Sequence, residues 1–371
     1  MEQKILTAEG LSGSLPEVWR EQGTTRVLLV CGASFRRQPL YGRLLEIMKS
    51  AGVGCTEFSE YEPNPRYESV VKGIEVLRRD GCDFVLAAGG GSGMDVAKCI
   101  KLFYQMDLSK SCLHQQIVEN DLPLMAIPTT AGTGSEATRF AVIYENGIKQ
   151  SVSHTSCIPG WALLDPALLE TLPVYQRKAT MLDAFCHAAE SFWSVNSTPE
   201  SREDAAEAIR LTLAYGDGYL ANDPEGNAKM LLASNLAGKA INVTQTTAGH
   251  AMAYKLTTFY GLAHGHAVAL CVDRIWPYMI GHTEDGIDPR GKEYLDGMFA
   301  KLGSVMGCAS ASGAAEKYHV WLSGLGLSVP DLKDEEELSL LADSVNPERL
   351  NNNPVRLERE TLKTLYREIL N

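Results

Sequence analysis

The feature that most constrains this chain is a change of hydrophobic rhythm part-way along it. RVLLVCG (26–32) reads as a buried strand and YGRLLEIMKSAG (41–52) as a helix stopped by glycine. YESVVKGIEVLRRDG (67–81) predicts a second helix and DFVLAA (83–88) a strand. A third helix follows from Ser92, and LMAIP (124–128) is the next strand. Strands that are apolar throughout must be covered on both faces, so the alternation predicts an α/β domain with a parallel, doubly wound sheet. FAVIY and IKQSV flank Asn146-Gly147, a strong hairpin signal. From about Leu168 the strand-like runs stop. Helical periodicity then recurs over 176–195, 201–220, 226–243, 246–260, 290–306, 313–325, 335–343 and 356–370. This predicts an all-α second domain, with a division into 1–170 and 171–371 and a ligand expected in the cleft between them.

A length of 371 residues fits about two domains. Lys plus Arg number 34 against 46 Asp plus Glu, a net charge of −12. An acidic chain without a basic run is a poor partner for nucleic acid or an anionic membrane surface, so a small-molecule substrate is expected. The nine cysteines are scattered and never form C-x-x-C, the pattern of reduced core thiols rather than a disulfide framework. MEQKILTAEG lacks an apolar stretch of signal-peptide length, so a cytoplasmic location is expected.

Three motifs carry chemistry. In AAGGGSGMDVAK (87–98) a strand ends in Gly89, Gly90 and Gly91, and Ser92 with Asp95 reads as a capping box opening the next helix. Glycines let a phosphate approach the backbone, where free N–H groups attract it. IPTTAGTGSEAT (127–138) places Thr129, Thr130, Thr133 and Ser135 in a second loop at a strand end, suited to a diphosphate or ribose. In RKATMLDAFCHAAESFWS, Asp183 and His187 share one helix face at i, i+4 among alanines. His250, His264 and His266 follow in TTAGHAMAYKLTTFYGLAHGHAVAL. A single histidine is usually a satisfied core or surface residue. Four of the chain's eight in two apolar helical segments, one beside an aspartate, point instead to a divalent metal held by one Asp and three His.

The order GGGSGMDVAK, PTTAGTGSEAT, LDAFCHAAE and HAMAYKLTTFYGLAHGHAVAL closely resembles the iron-containing (group III) alcohol dehydrogenases, strongly over about residues 20–285. The resemblance implies a Rossmann-like N-terminal domain, an all-helical C-terminal domain, NAD(P)-linked alcohol–aldehyde interconversion and a homodimer. It places the metal ligands on Asp183, His187, His250 and His264, with Fe2+ expected and Zn2+ able to substitute. Many members carry a proton-relaying histidine where this chain has Tyr254, which leaves Tyr254, His266 or water for that role. NAD-preferring relatives carry an aspartate where this chain has Gly32, followed by Ser34, Arg36 and Arg37. Losing that carboxylate favours NADP(H) over NAD(H).

Within the resemblance, Lys149 corresponds to a lysine that contacts the cofactor. Arg139 stands where relatives carry a small or apolar residue. SEATRFAVIYENGIKQSV and HAMAYK are similar to the branch of phosphonoacetaldehyde and sulfoacetaldehyde reductases. The expected substrate is therefore a two-carbon aldehyde bearing a phosphonate or sulfonate, held by Arg139 and Lys255. The alternatives are a dehydrogenase of neutral short-chain alcohols and, more remotely, a sugar-phosphate cyclase. The cyclases use a Glu-His-His metal set, against which Asp183 and His187 argue.

Overall fold

In the computed structural model, which describes residues 3–7 and 11–370, the chain forms two compact units that divide between Thr171 and Leu172. The first contains β1 (Lys4–Thr7), α1 (Leu11–Gln22), β2 (Arg26–Cys31), α2 (Ala33–Arg36), α3 (Pro39–Ser50), β3 (Gly54–Phe58) and α4 (Tyr67–Asp80). These are followed by β4 (Phe84–Gly89), α5 (Gly91–Phe103), β5 (Leu124–Pro128), β6 (Phe140–Glu145), β7 (Ile148–Ser153) and β8 (Trp161–Leu164). Six strands pair in the order β1-β8-β5-β4-β2-β3, and every neighbouring pair is parallel.

Alternate side chains of the central strands enter two separate cores. Leu28, Val30, Val85 and Ala87 pack with Ile74 of α4 and Ile100 of α5. Val27, Leu29, Phe84 and Leu86 pack with Trp19 of α1 and Leu44 of α3 on the other face. Burial on both faces is why β2, β4 and β5 are continuous apolar runs. The edge strands β1 and β3 lack that signature because they carry polar, partly exposed side chains. At four residues, β8 is too short to register a period. The predicted hairpin is β6–β7. Its two turn residues, Asn146 (φ 52°) and Gly147 (φ 77°), both adopt the positive φ of a type I′ turn.

Helix α5 corrects one expectation. It starts at Gly91 with Gly90 at the N-cap and no side-chain cap, so the Ser92–Asp95 capping box does not form. Asp95 is instead half-buried and turned towards the second loop and the hairpin. It accepts hydrogen bonds from Ser135 Oγ at 3.1 Å and from the Val142 backbone N–H at 3.0 Å. Lys98, one turn on and almost fully buried, donates to Ser135 Oγ (3.0 Å), Thr138 Oγ1 (3.0 Å) and the Phe140 carbonyl (2.8 Å). Burial pushes the Asp95 carboxyl up and the Lys98 ammonium down, while each charge supports the other. The pair ties the second loop and the hairpin to α5.

The second unit contains α6 (Val174–Trp193), α7 (Pro199–Leu220), α8 (Pro224–Thr244), α9 (Ala248–Tyr260), α10 (His264–Gly281), α11 (Lys292–Val305), α12 (Ala311–Gly324), α13 (Glu335–Asp343), α14 (Pro347–Leu350) and α15 (Arg359–Ile369). Helix α10 falls in a gap of the predicted helical segments. It is buried on nearly all sides from Gly265 to Val272 and so shows no one-sided apolar period. Among the described residues, no helix is long and apolar enough to cross a membrane.

Asp95 and Lys98 are joined through Ser135 Oγ, so removing one charge leaves the other without its electrostatic support. Lys98→Met should destabilise the protein by about 3–5 kcal/mol in urea unfolding, and Asp95→Asn in the same chain should restore part of the loss.

Candidate metal centre and nucleotide loops

Helix α6 presents Asp183 and His187 from one buried face, and the first turn of α9 brings His250 to them. Donor atoms of these three residues lie within 4.8 Å of one another, all buried. The rings of His187 and His250 stack at 4.3 Å. Gly249 permits the approach of α9 to α6, and Gly265 that of α10, which starts at His264. A Cβ on Gly265 would fall 2.6 Å from Asp183 Cβ and collide with the Ala179 carbonyl, and one on Gly249 would collide with Glu190 Oε1.

Glu190, which sequence reasoning passed over, organises the cluster. One turn beyond His187 on α6 and fully buried, it accepts the Thr247 N–H (2.8 Å) and the His250 N–H (3.0 Å). Its Oε2 also accepts from His250 Nδ1 at 2.8 Å. A carboxylate partner puts the proton on Nδ1 and turns the Nε2 lone pair the other way, towards Asp183. His250 Nε2 and Asp183 Oδ1 stand 3.6 Å apart, too far for a hydrogen bond, and neither has a partner among the described residues. With Nε2 unprotonated these are two buried acceptors facing each other, a costly arrangement that a divalent cation relieves and that, without one, a proton on Nε2 relieves. One carboxylate oxygen with imidazole nitrogens suits Fe2+ or Zn2+.

Burial opposes ionisation of Asp183, but His187, His250 and His264 outweigh it and hold the carboxyl well below its usual range. Burial likewise opposes protonation of His250. The carboxylates of Glu190 and Asp183 prevail and push it up to about 9 when no metal competes.

His264, at the start of α10, lies with its ring centre 5.4 Å from that of His250, outside the set of three. The Tyr254 ring stacks on His264 at 5.6 Å with an interplanar angle of 10°. The structure does not bring Lys255 to this cluster: one residue round the helix from Tyr254, its Nζ lies 5.2 Å over the Phe259 ring. Nor does it bring His266 there. Two residues beyond His264, it is buried against Tyr175, whose hydroxyl is 3.2 Å from Nδ1, and burial pulls its imidazole down towards the neutral form. A spacing of two on a helix sends side chains in nearly opposite directions.

In the first unit the two predicted loops lie side by side, because Gly89 pairs in register with Pro128 and accepts the Thr129 N–H at 3.0 Å. A Cβ on Gly90 would sit 3.6 Å from Thr130 Cγ2, and one on Gly91 3.3 Å from Thr133 Cγ2. Thr130 Oγ1 is buried with no partner among the described residues, beside a helix start that carries no acid in its first turn. That orphaned hydroxyl and the unpaired N–H groups of α5, Ser92 included, suit a diphosphate. Ser135 and Asp95 act differently from expectation, since their polar atoms serve the Lys98 network. Lys149 lies on β7 opposite Tyr144, and its charge favours ionised Asp95.

Gly32 is the N-cap of α2, and Ser34 is exposed on that helix. Tyr61 comes close to Gly32, Gly89 and Gly93: its hydroxyl would lie 3.5, 3.8 and 2.7 Å from Cβ atoms placed there. Arg36, read as a welcome for a 2′-phosphate, is bound to Glu57 at 2.9 Å and to Ser59 Oγ at 3.0 Å. A carboxylate therefore stands at this end of the sheet after all, on β3, and weakens the expectation of NADP(H) from Gly32. The Arg139 guanidinium lies 5.0 Å over the ring of its neighbour Phe140.

Residues 2–166 match the profile of iron-containing alcohol dehydrogenases, and residues 178–370 match the C-terminal profile of the same family. Phosphonoacetaldehyde reductase of Streptomyces viridochromogenes is 32% identical over 359 residues, covering 92% of this chain and 89% of that protein. NADH-dependent butanol dehydrogenase A of Clostridium acetobutylicum is 30% identical, covering 75% of this chain and 74% of that one. The crystal structure of sulfoacetaldehyde reductase from Bifidobacterium kashiwanohense in complex with NAD+ is similar, with a TM-score of 0.87 at 26% identity. It covers 99% of this chain and 96% of that one.

Two outcomes follow from Glu190. Glu190→Gln should weaken Zn2+ or Fe2+ binding by about 10–100-fold in a competition titration, because it loosens a ligand's orientation without removing a donor. In chelator-treated protein, protonated His250 stabilises the fold fully below its ordinary value of 6.5 and less as pH rises through about 9. The melting temperature of the metal-free protein should fall over that interval, and less so in Glu190→Gln.

Proposed function

This chain belongs to the iron-containing alcohol dehydrogenase family, and on that premise we propose that it reduces a small anionic aldehyde, phosphonoacetaldehyde or sulfoacetaldehyde, to the alcohol with NAD(P)H. The observation that carries the reaction class is the buried Asp183–His187–His250 cluster oriented by Glu190. The substrate class is supported by likeness to reductases of both aldehydes.

Asp183, His187, His250 and His264 would hold the metal ion, and the glycine and threonine loops of the first unit would hold the dinucleotide. When bound, the ion supplies Lewis-acid polarisation of the carbonyl oxygen and the reduced nicotinamide supplies hydride to the carbonyl carbon. The remaining work falls to the chain. Asp183 is kept ionised, so it offers a charged oxygen donor at neutral pH. Glu190 keeps the Nδ1–H tautomer of His250, which leaves Nε2 as the donor. Tyr254, whose ring stacks on His264, would pass a proton to the product oxygen through its phenol, with water as the alternative. His266 is buried against Tyr175, which argues against it in that role. Arg139 is retained as a candidate for the substrate's anionic group, and the working assembly as a homodimer.

A kinetic panel of two- to four-carbon aldehydes, anionic and neutral, tests this reading. The phosphonate or sulfonate aldehyde should exceed neutral aldehydes by about a hundredfold in kcat/KM, the scale of two charge-assisted hydrogen bonds. Chelation should abolish turnover, and Fe2+ or Zn2+ should restore it. Equal or better turnover of butyraldehyde would favour the neutral-alcohol reading instead, to which the likeness to the butanol dehydrogenase points.

A further inference from the structure

We propose that Arg349, on the short helix α14, binds the anionic group of the substrate beside the metal cluster. The inference rests on the anionic-aldehyde reading above and identifies a residue for it. Arg349 Nη1 donates to Thr246 Oγ1 at 2.6 Å, and its guanidinium carbon lies 5.5 Å from the centre of the Tyr254 ring. Thr246 and Tyr254 stand four residues before and four after His250, so one guanidinium reaches both flanks of that ligand. Tyr254 also carries the contact on to His264 through its stacked ring.

Among the described side chains, the charge of Arg349 has no counter-ion. Among the described residues, no carboxylate lies within 4.0 Å of it, whereas Arg36, Arg290, Arg359 and Arg367 each sit on one. A half-buried cation next to a site built for a divalent cation is repelled by it unless an anion lies nearby. Of its five N–H donors, one is engaged by Thr246, which leaves a fork suited to a tetrahedral oxyanion. The segment that carries it is fastened. Asn352 Nδ2 donates to the Thr246 carbonyl at 3.2 Å, and the Asn352 carbonyl accepts the Val195 N–H at 3.1 Å. The guanidinium is thus held in place before any ligand arrives, which lowers the entropy cost of binding. The ligand class is a phosphonate or sulfonate a short carbon chain away from the reacting carbonyl. The diphosphate of the dinucleotide shares that chemistry and is the competing source.

The test uses the metal-loaded enzyme with Arg349→Gln and Arg349→Lys. For Arg349→Gln, kcat/KM on the anionic aldehyde should fall by about a hundredfold, mostly through KM. Turnover of a neutral two-carbon aldehyde should change less than about threefold, and NADH affinity by fluorescence titration should be unchanged. Methylphosphonate should raise the melting temperature of the wild-type enzyme and leave that of Arg349→Gln unchanged. Arg349→Lys should retain part of the preference, which separates lost charge from lost folding. Loss of NADH affinity would assign Arg349 to the dinucleotide and overturn the proposal. An equal fall on charged and neutral aldehydes, or none on either, would also overturn it. If Arg349→Gln keeps the wild-type preference for the anion, this assignment fails while the substrate reading stands. If the wild type shows no preference, both fail.

Discussion

Everything at the metal centre depends on one buried carboxylate. Glu190 accepts from two backbone N–H groups at the start of α9 and from the His250 ring. It therefore anchors a helix and sets a tautomer with the same two oxygens. Burial works against its charge, and His250 with those N–H groups more than offsets the penalty, holding the carboxyl below its usual value. Such a group cannot be moved without unsatisfying several partners, and that rigidity fixes where Nε2 of His250 lies. Gly249 and Gly265 complete the arrangement by what they lack, since a side chain at Gly249 would push α9, with His250, off α6, and one at Gly265 would push α10, with His264, off α6.

The first unit uses the same device for a different purpose. Asp95 and Lys98 share Ser135 between them and bind the hairpin backbone through Val142 and Phe140. A loop rich in small residues would otherwise be mobile. The Asp95–Ser135–Lys98 network holds it against the glycine loop, with Thr130 and Thr133 beside Gly90 and Gly91. In both units a buried charged group, Lys98 in the first and Glu190 in the second, is hydrogen-bonded to several partners and positions backbone rather than reacting.

Charge is organised locally in this acidic chain. The net −12 disfavours a polyanionic partner but says nothing about a small anion, for which a single guanidinium suffices. The arginines differ in what already meets them. Arg36 is answered by Glu57 and Ser59, and Arg139 lies on Phe140, while Arg349 bridges Thr246 and Tyr254. Lys255, adjacent to Tyr254 in sequence, is directed to Phe259 by the helical turn.

The sequence by itself determined the parallel sheet, the glycine and threonine loops and the pairing of Asp183 with His187. Each is a local pattern: continuous apolar runs, strand-end glycines, a spacing of four on one helix. The Asn146-Gly147 turn was legible for the same reason, whereas the edge strands and the all-round apolar α10 carry no period to read. Only the tertiary structure decided that Glu190 meets His250, 60 residues away, and that Arg349 meets Thr246, 103 away. It also decided that Asp95 leaves the helix start for Ser135 and that His266 turns to Tyr175. Periodicity states which residues share a face of one element. Which faces meet is set by the packing of elements distant in sequence, and there the glycines at helix crossings and the buried charges choose among arrangements that the pattern alone leaves equal.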